Sequence, residues 1–468
     1  MASETQPDHE LIDVQALRIG MFVSLDGGWL SHPFPLSNFK IRTAEQLATI
    51  RSLGVTKVRW DRELSDVASV VSAAPNDAQI AAEPAQPRRQ EQQVAVVPSP
   101  RHDPDVALAS ALRASAPHPL DAALGLDLDL EAPVPSEREA LAQRLSRQRA
   151  SQAACERQFN EAAGAYKGAL ALVSSDPEQA RAQLESLSNS LLDKMLVEDD
   201  LCIRLLRDSA GSKASTHTLN VSIISMLLGR GFGLSERELL DLGMGALLHD
   251  IGKMDVPERL HHLAPSFSPA EVKAYQEHVV LGLARGQKMA LPPGVMQIIA
   301  QHHEMADGSG FPLRLGSERM SDAARIVAMV NAYDTLCNPQ LAGNAVTPHE
   351  ALAQMFTQGK KCFDPALLGA FIKMMGVYPA GSTVQLTDER FAVVVSVNSA
   401  RPLKPRVIVH DAKVAREEAL VLDIGEEAGL GIRRSIKPEM LPTPALHYLA
   451  PRQRLVYYFE PAYLAEAA

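Results

Sequence analysis

The chain has 468 residues, a formal net charge of −10 and a hydrophobic share of 46%. That length predicts about three domains, and that hydrophobic share is typical of a water-soluble globular protein. The charge argues against wrapping a nucleic-acid polymer, which needs a positive stripe. No stretch approaches the ~18 apolar residues that span a bilayer. The four cysteines, Cys155, Cys202, Cys337 and Cys362, form no C-x-x-C pair and read as thiols of a reducing compartment. The N-terminal MASETQPDHE lacks the basic-then-apolar order of a secretory signal, so a cytoplasmic location is expected.

Residues 1–64 read as a small α+β module. IGMFVSL has strand character, Asp26-Gly27-Gly28 signals a turn, and VTKVRW is a second strand candidate. Between them TAEQLATIRSLG predicts a helix, with Thr43 as N-cap, a stripe of Leu47, Ile50 and Leu53, and Gly54 as the stop. Residues 65–135 shift to Ala, Pro and Gln and predict a flexible, disordered linker. Residues 136–375 read as a helical block. It opens with a Ser136/Glu139 capping box, and SSDPEQ puts proline in the first turn of the second helix. Residues 376–468 change period: TVQLT, RFAVVVSV, PRVIVHD and RLVYYFE predict strands of a β-rich appendage. The fold class expected is therefore mainly α.

The chemistry lies in the helical block. ALLHDIGK places His249 and Asp250 at the end of an apolar helix, where a dry, unpaired carboxylate is costly. A metal bound by both residues removes that cost; a helix-end histidine beside a capping aspartate is the plainer reading of the doublet alone. IIAQHHEMADGSGFP places His302 and His303 at a second apolar helix end, before an acidic, glycine-rich loop. Neighbouring helical residues point about 100° apart, so such a pair suits two ions better than one. His217 in STHTLNVS and His278 in YQEHVVLG are each unremarkable alone. The ordered set of His, His-Asp, His and His-His on apolar helices predicts a buried divalent-metal site.

These residues resemble the HD-GYP family, a branch of the HD-domain phosphohydrolases. The resemblance runs from about Asp208 to Met375 and includes HDIGK at 249–253, His278 followed by Gly282, HHE-x-x-DGSG-F-P at 302–312 and FDP at 363–365. The 376–386 run GVYPAGSTVQL is similar to the family's usual continuation. The N-terminal IGMFVSLDGGWLSHPFPLSNF resembles a small domain often found ahead of HD-GYP domains. The resemblance implies an HD-domain helical bundle that hydrolyses the bacterial messenger cyclic di-GMP to pGpG and, in many members, GMP. It implies His217, His249, Asp250, His278, His302 and His303 as metal ligands, with Asp250 bridging and acting catalytically beside Lys253. It further implies Lys253, Asp307, Gly308, Gly310, Phe311 and Pro312 as substrate contacts, and signalling partners reached through the N-terminal module. Imidazole-rich ligation with carboxylate suits two iron or manganese ions, with zinc also compatible.

Several positions depart from the family pattern. Phe311 stands where the motif has Tyr, and Met305 where Arg is common. Asn331 stands at the last metal ligand, usually Asp, and Thr335 at the usual Ala; Asn338 to Leu341 (NPQL) replace R-P-Y. Lys213 replaces the Glu that binds a third metal in some members, which favours two ions. An uncharged Asn weakens a metal site, and lost cations weaken phosphate capture. Two functions of different class are therefore carried forward. One is a phosphodiesterase of reduced activity; the other is a weakened domain acting as a cyclic di-GMP sensor or protein-interaction module.

Overall fold

The computed structural model describes residues 9–25, 38–41, 44–52, 55–62, 65, 137–197, 200–206, 213–339, 344–357, 359, 361–452 and 454–462. Apart from Ser65, the expected linker lies outside these residues. So do the Asp26-Gly27-Gly28 turn, Thr43, Leu53, Gly54 and the Ser136 cap.

The N-terminal module orders β1 (His9–Asp13), β2 (Phe22–Ser24), β3 (Asn38–Lys40), α1 (Ala44–Ser52) and β4 (Lys57–Asp61). Its antiparallel sheet runs β1-β4-β2-β3. Strict alternation in KVRWD turns Val58 and Trp60 inward, against Ile50 of α1 and Val23 of β2. The Ser65 hydroxyl accepts from Trp60 Nε1 at 2.8 Å and donates to the Asp61 carbonyl at 2.6 Å, so the buried indole N–H is satisfied.

The helical block begins with the long α2 (Glu137–Leu172) and α3 (Pro177–Leu196), the latter entered through the Asp176 cap and Pro177. After the short β5 (Leu201–Leu205) come α4 (Lys213–Phe232), α5 (Glu236–Leu248), α6 (Pro269–Lys288), α7 (Pro293–Gln301), α8 (Asp322–Cys337), α9 (Pro348–Thr357) and α10 (Pro365–Met375). Capping boxes start α5 (Ser235/Glu238) and α6 (Ser268/Glu271), so these two helices begin at defined residues. Between α5 and α6 the chain makes a tight 3-10 turn, Ile251–Asp255, that presses on α6. A Cβ on Gly252 would stand 1.9 Å from the His278 carbonyl oxygen, so only glycine allows this crossing.

The C-terminal region contains β6 (Thr383–Leu386), β7 (Phe391–Asn398), β8 (Arg406–Val409), β9 (Val421–Asp423), β10 (Ile432–Ser435), α11 (Thr443–Leu449) and β11 (Tyr457–Pro461). The sheet runs β10-β6-β7-β5-β11, with β8 against β7 and β9 against β8. The four strands expected here are present. The sequence reading treated LCIRL as part of the helical block, yet it is β5, between β7 and β11. All five of its residues are buried, so it has no alternation to betray it. Buried Arg204 of β5 pairs with Glu460 of β11, which also accepts from Ser396 of β7 at 3.0 Å. One hydrophobic core takes in Leu184, Leu247 and Val330 from the helices and Val394 and Tyr457 from the sheet. No described helix is long and apolar enough to cross a membrane.

Candidate metal centre

The six histidine and aspartate residues expected as ligands arrive from four helices. His217 lies in α4. His249 caps α5 at its C-terminus and Asp250 follows it. His278 lies in α6; His302 caps α7 and His303 comes next. Their donor atoms converge into two groups. Asp250, His278, His302 and His303 place four donors within 4.8 Å of one another, and His217, His249 and Asp250 place three within the same limit. Asp250 belongs to both. Its Oδ2 is 3.4 Å from His249 Nε2, and its Oδ1 is 3.6 Å from His278 Nε2 and 3.7 Å from His302 Nε2.

The sequence reading suggested that adjacent His302 and His303 suit separate ions. Both fall in the four-donor group instead. His302 is the C-cap and His303 is already past the helix, so the angular spacing of helical neighbours does not govern the pair. Their ring centroids lie 4.2 Å apart.

Three of the rings are locked by backbone. His249 Nδ1 bonds the Ala246 carbonyl at 2.7 Å, His278 Nδ1 the Tyr275 carbonyl at 2.5 Å, and His302 Nδ1 the Ile299 carbonyl at 2.9 Å. A carbonyl only accepts, so each Nδ1 carries a proton and each ring turns its Nε2 inward. His278 Nε2 and His302 Nε2 then face each other at 3.2 Å, lone pair to lone pair. Buried His249 Nε2 and Asp250 Oδ1 have no hydrogen-bond partner among the described residues. Such unmatched donors of electrons, buried together, fit a cation.

Protonation agrees. Burial pushes the His278 ring down to about 4 against the pull of Asp250. Burial also lowers His302, and burial with His302 and His278 beside it holds His303 well below the imidazole range. For Asp250, burial works upward, but Lys253 and His249 outweigh it and the carboxyl stays ionised. Neutral imidazoles around a carboxylate are the ligand forms a divalent ion needs.

His217 is held differently. Its Nδ1 bonds Asp334 Oδ2 at 2.6 Å, and this carboxylate overcomes the effect of burial and raises the ring. Asp334 lies near the end of α8. It is fully buried and spent on His217, Asn220 Nδ2 at 2.8 Å and Asn338 Nδ2 at 2.9 Å. Its oxygens are occupied, and its contact with His217 fixes the orientation of that ring. Asn331, one turn earlier on α8, is buried, and its Oδ1 accepts from the Thr335 hydroxyl at 3.5 Å.

Lys253 Nζ donates to Asp250 Oδ2 at 2.7 Å. The loop after His303 is organised by Glu304, fully buried, whose two oxygens accept from Leu313 N at 2.6 Å and Leu315 N at 2.8 Å. Within it Asp307 accepts from Ser309 N at 3.0 Å, Gly308 takes φ of 75°, and Gly310 packs where a Cβ would meet the His303 carbonyl at 2.4 Å. Phe311 stacks on His303, centroids 4.5 Å apart, so the ring at this motif position packs and contributes no hydroxyl. Pro312 follows it in that loop. The sequence reading missed Asn220, Tyr275 and the role of Glu304. Spacing offered a hint for the first two: each lies three residues from a histidine of the two donor groups, on the same helix face.

Residues 200–367 match the HD domain family, and residues 10–184 match a domain of unknown function, DUF3391. The chain is 27% identical over 412 residues to a cyclic di-GMP phosphodiesterase of Pseudomonas aeruginosa, covering 85% of this chain and 84% of that protein. It is 23% identical over 200 residues to the cyclic di-GMP phosphodiesterase PdeB of Borreliella burgdorferi, covering 42% of this chain and 53% of that one. It is 31% identical over 156 residues to the cyclic di-GMP phosphodiesterase response regulator RpfG of Xanthomonas campestris pv. campestris, covering 33% and 41%. The chain thus spans most of the first relative and about half or less of the other two. HDIGK and the HHE-to-FP segment both lie inside the HD-domain match, so residues 200–367 form an HD domain, and its motifs are those by which the sequence resembles the HD-GYP branch.

Proposed function

We infer that this protein is a metal-dependent phosphodiesterase that hydrolyses cyclic di-GMP to the linear dinucleotide pGpG. The observation that carries the reading is the double membership of Asp250, a carboxylate common to a four-donor and a three-donor group. Two divalent ions, iron or manganese, would be held here by His217, His249, His278, His302 and His303, with Asp250 common to both and Asn331 as a weaker oxygen ligand. When bound, such a pair neutralises phosphodiester charge and lowers the pKa of water toward neutrality.

The protein side of the reaction rests on placement. Lys253 presents its ammonium beside Asp250, where it can share its protons with a phosphate oxygen. Glu304 holds the loop of Asp307, Gly308, Gly310, Phe311 and Pro312, the proposed cradle for the dinucleotide. The N-terminal module is the proposed contact for signalling partners.

The test is anaerobic purification, metal analysis and chromatography of the nucleotide products. The expected result is close to two ions per chain and release of pGpG, with GMP appearing later if a second cleavage follows. Full metal occupancy without turnover sinks the enzymatic reading and leaves the sensor reading in its place.

A further inference from the structure

Tyr275 lies in α6, one turn before His278, and is buried. Its hydroxyl is 3.2 Å from His303 Nε2. Its ring centroid is 5.0 Å from that of His278 and 6.0 Å from that of Phe311, and Lys253 Nζ sits 5.6 Å from it. The residue therefore stands where the four-donor group meets the lysine.

His303 is the odd member of its group. His249, His278 and His302 each have Nδ1 tied to a carbonyl three residues earlier, which fixes both the tilt and the spin of the ring. Among the described residues, the His303 ring has one hydrogen-bond partner, the Tyr275 hydroxyl. Stacking by Phe311 at an interplanar angle of 23° restrains its tilt. A phenyl face cannot tell one edge of an imidazole from the other, so stacking leaves open which nitrogen faces the group. Only a directional bond settles that: the Tyr275 hydroxyl engages Nε2, which leaves Nδ1 to face the group.

We propose that Tyr275 is a positioning residue: its hydroxyl selects the orientation of the His303 ring and thereby sets the affinity of the four-donor group for its ion. The proposal rests on the metal-centre reading above and extends it to a residue outside the ligand set. Outer partners of ligating histidines typically contribute 10- to 100-fold in metal affinity.

The experiment uses the full chain, stripped of metal under anaerobic conditions and titrated with Mn²⁺ by calorimetry. Wild type, Tyr275→Phe and Tyr275→Leu are compared, and the melting temperature of each metal-free protein is measured alongside. Phe keeps the ring and removes only the hydroxyl. The expected result is roughly tenfold weaker Mn²⁺ binding by Tyr275→Phe at an unchanged metal-free melting temperature. Tyr275→Leu loses at least as much affinity and also melts lower. Wild-type affinity in Tyr275→Phe overturns the proposal, as does a loss matched by a fall in metal-free stability. A wild-type chain that binds no Mn²⁺ sinks the metal-centre reading and this proposal with it. Turnover of cyclic di-GMP is scored separately, so Mn²⁺ binding without hydrolysis counts against the activity reading alone.

Discussion

At the scale of single residues, two aspartates do different work although both are acidic groups beside histidines. Asp250 sits among bare nitrogen atoms and has an oxygen with no hydrogen-bond partner among the described residues; Asp334 has its acceptors used by His217, Asn220 and Asn338. Asp250→Asn keeps the shape and removes the charge common to both groups, so bound metal is expected to fall to a small fraction of wild type. Metal analysis after gel filtration checks it, and undiminished occupancy would falsify the site assignment. Asp334→Ala frees the His217 ring and removes one acceptor from each of Asn220 Nδ2 and Asn338 Nδ2, so a 10- to 100-fold loss of affinity confined to the three-donor group is expected. A biphasic Mn²⁺ titration that keeps its other phase would separate the two groups. Asn331→Asp adds a carboxylate on the α8 face that carries Asp334 one turn on. Tighter Mn²⁺ binding with faster turnover is expected if Asn331 is a weakened ligand. Tighter binding alone points to missing phosphate-gripping cations, and no change in either removes Asn331 from the ligand set.

Among elements, the crossing of the 251–255 turn over α6 fixes the site. Gly252→Ala would force its Cβ to within 1.9 Å of the His278 carbonyl oxygen and 2.4 Å of Gly282 N, both backbone, so the helix and His278 must move together. Overpacking of this kind costs about 1–3 kcal/mol or more. Urea unfolding of the metal-free variant should show that loss, accompanied by weaker Mn²⁺ binding; a variant as stable as wild type would mean the turn yields without moving α6. The same crossing explains what the sequence made legible. Helix ends before His249 and His302 were readable because apolar periodicity stops there, and the ligand types announced themselves. The grouping of those ligands was hidden, because it depends on helix-to-helix distances. Strand β5 was hidden because full burial erases the period of two. Glu304 was readable only as a motif letter, since its partners lie nine and eleven residues on and are backbone N–H groups.

On the scale of the whole molecule, the sheet is tied to the metal centre. Asn220 Nδ2 and Asn338 Nδ2, which bond Asp334, also donate to the Leu455 carbonyl at 2.9 and 3.0 Å. In return Asn338 Oδ1 accepts from Leu455 N at 2.8 Å, and Asn220 Oδ1 accepts from Tyr457 N at 3.0 Å. A chain truncated after residue 452 loses these contacts, the Glu460 partner of Arg204, and the last strand of the sheet. It should therefore be recovered aggregated or metal-free, whereas a soluble, metal-loaded truncation would show that the sheet is dispensable. Tyr457 follows Asn220 by 237 residues, and this separation has a consequence for biosynthesis. While the polypeptide is still being translated, the His217 side of the pocket lacks the strand that braces its supporting aspartate. Residues 455–457 must emerge before that side is braced, so ion loading is expected late in the synthesis of each new molecule. A stalled nascent chain ending before Leu455 should stay empty in a Mn²⁺ pull-down, and one extended past Ala462 outside the exit tunnel should fill.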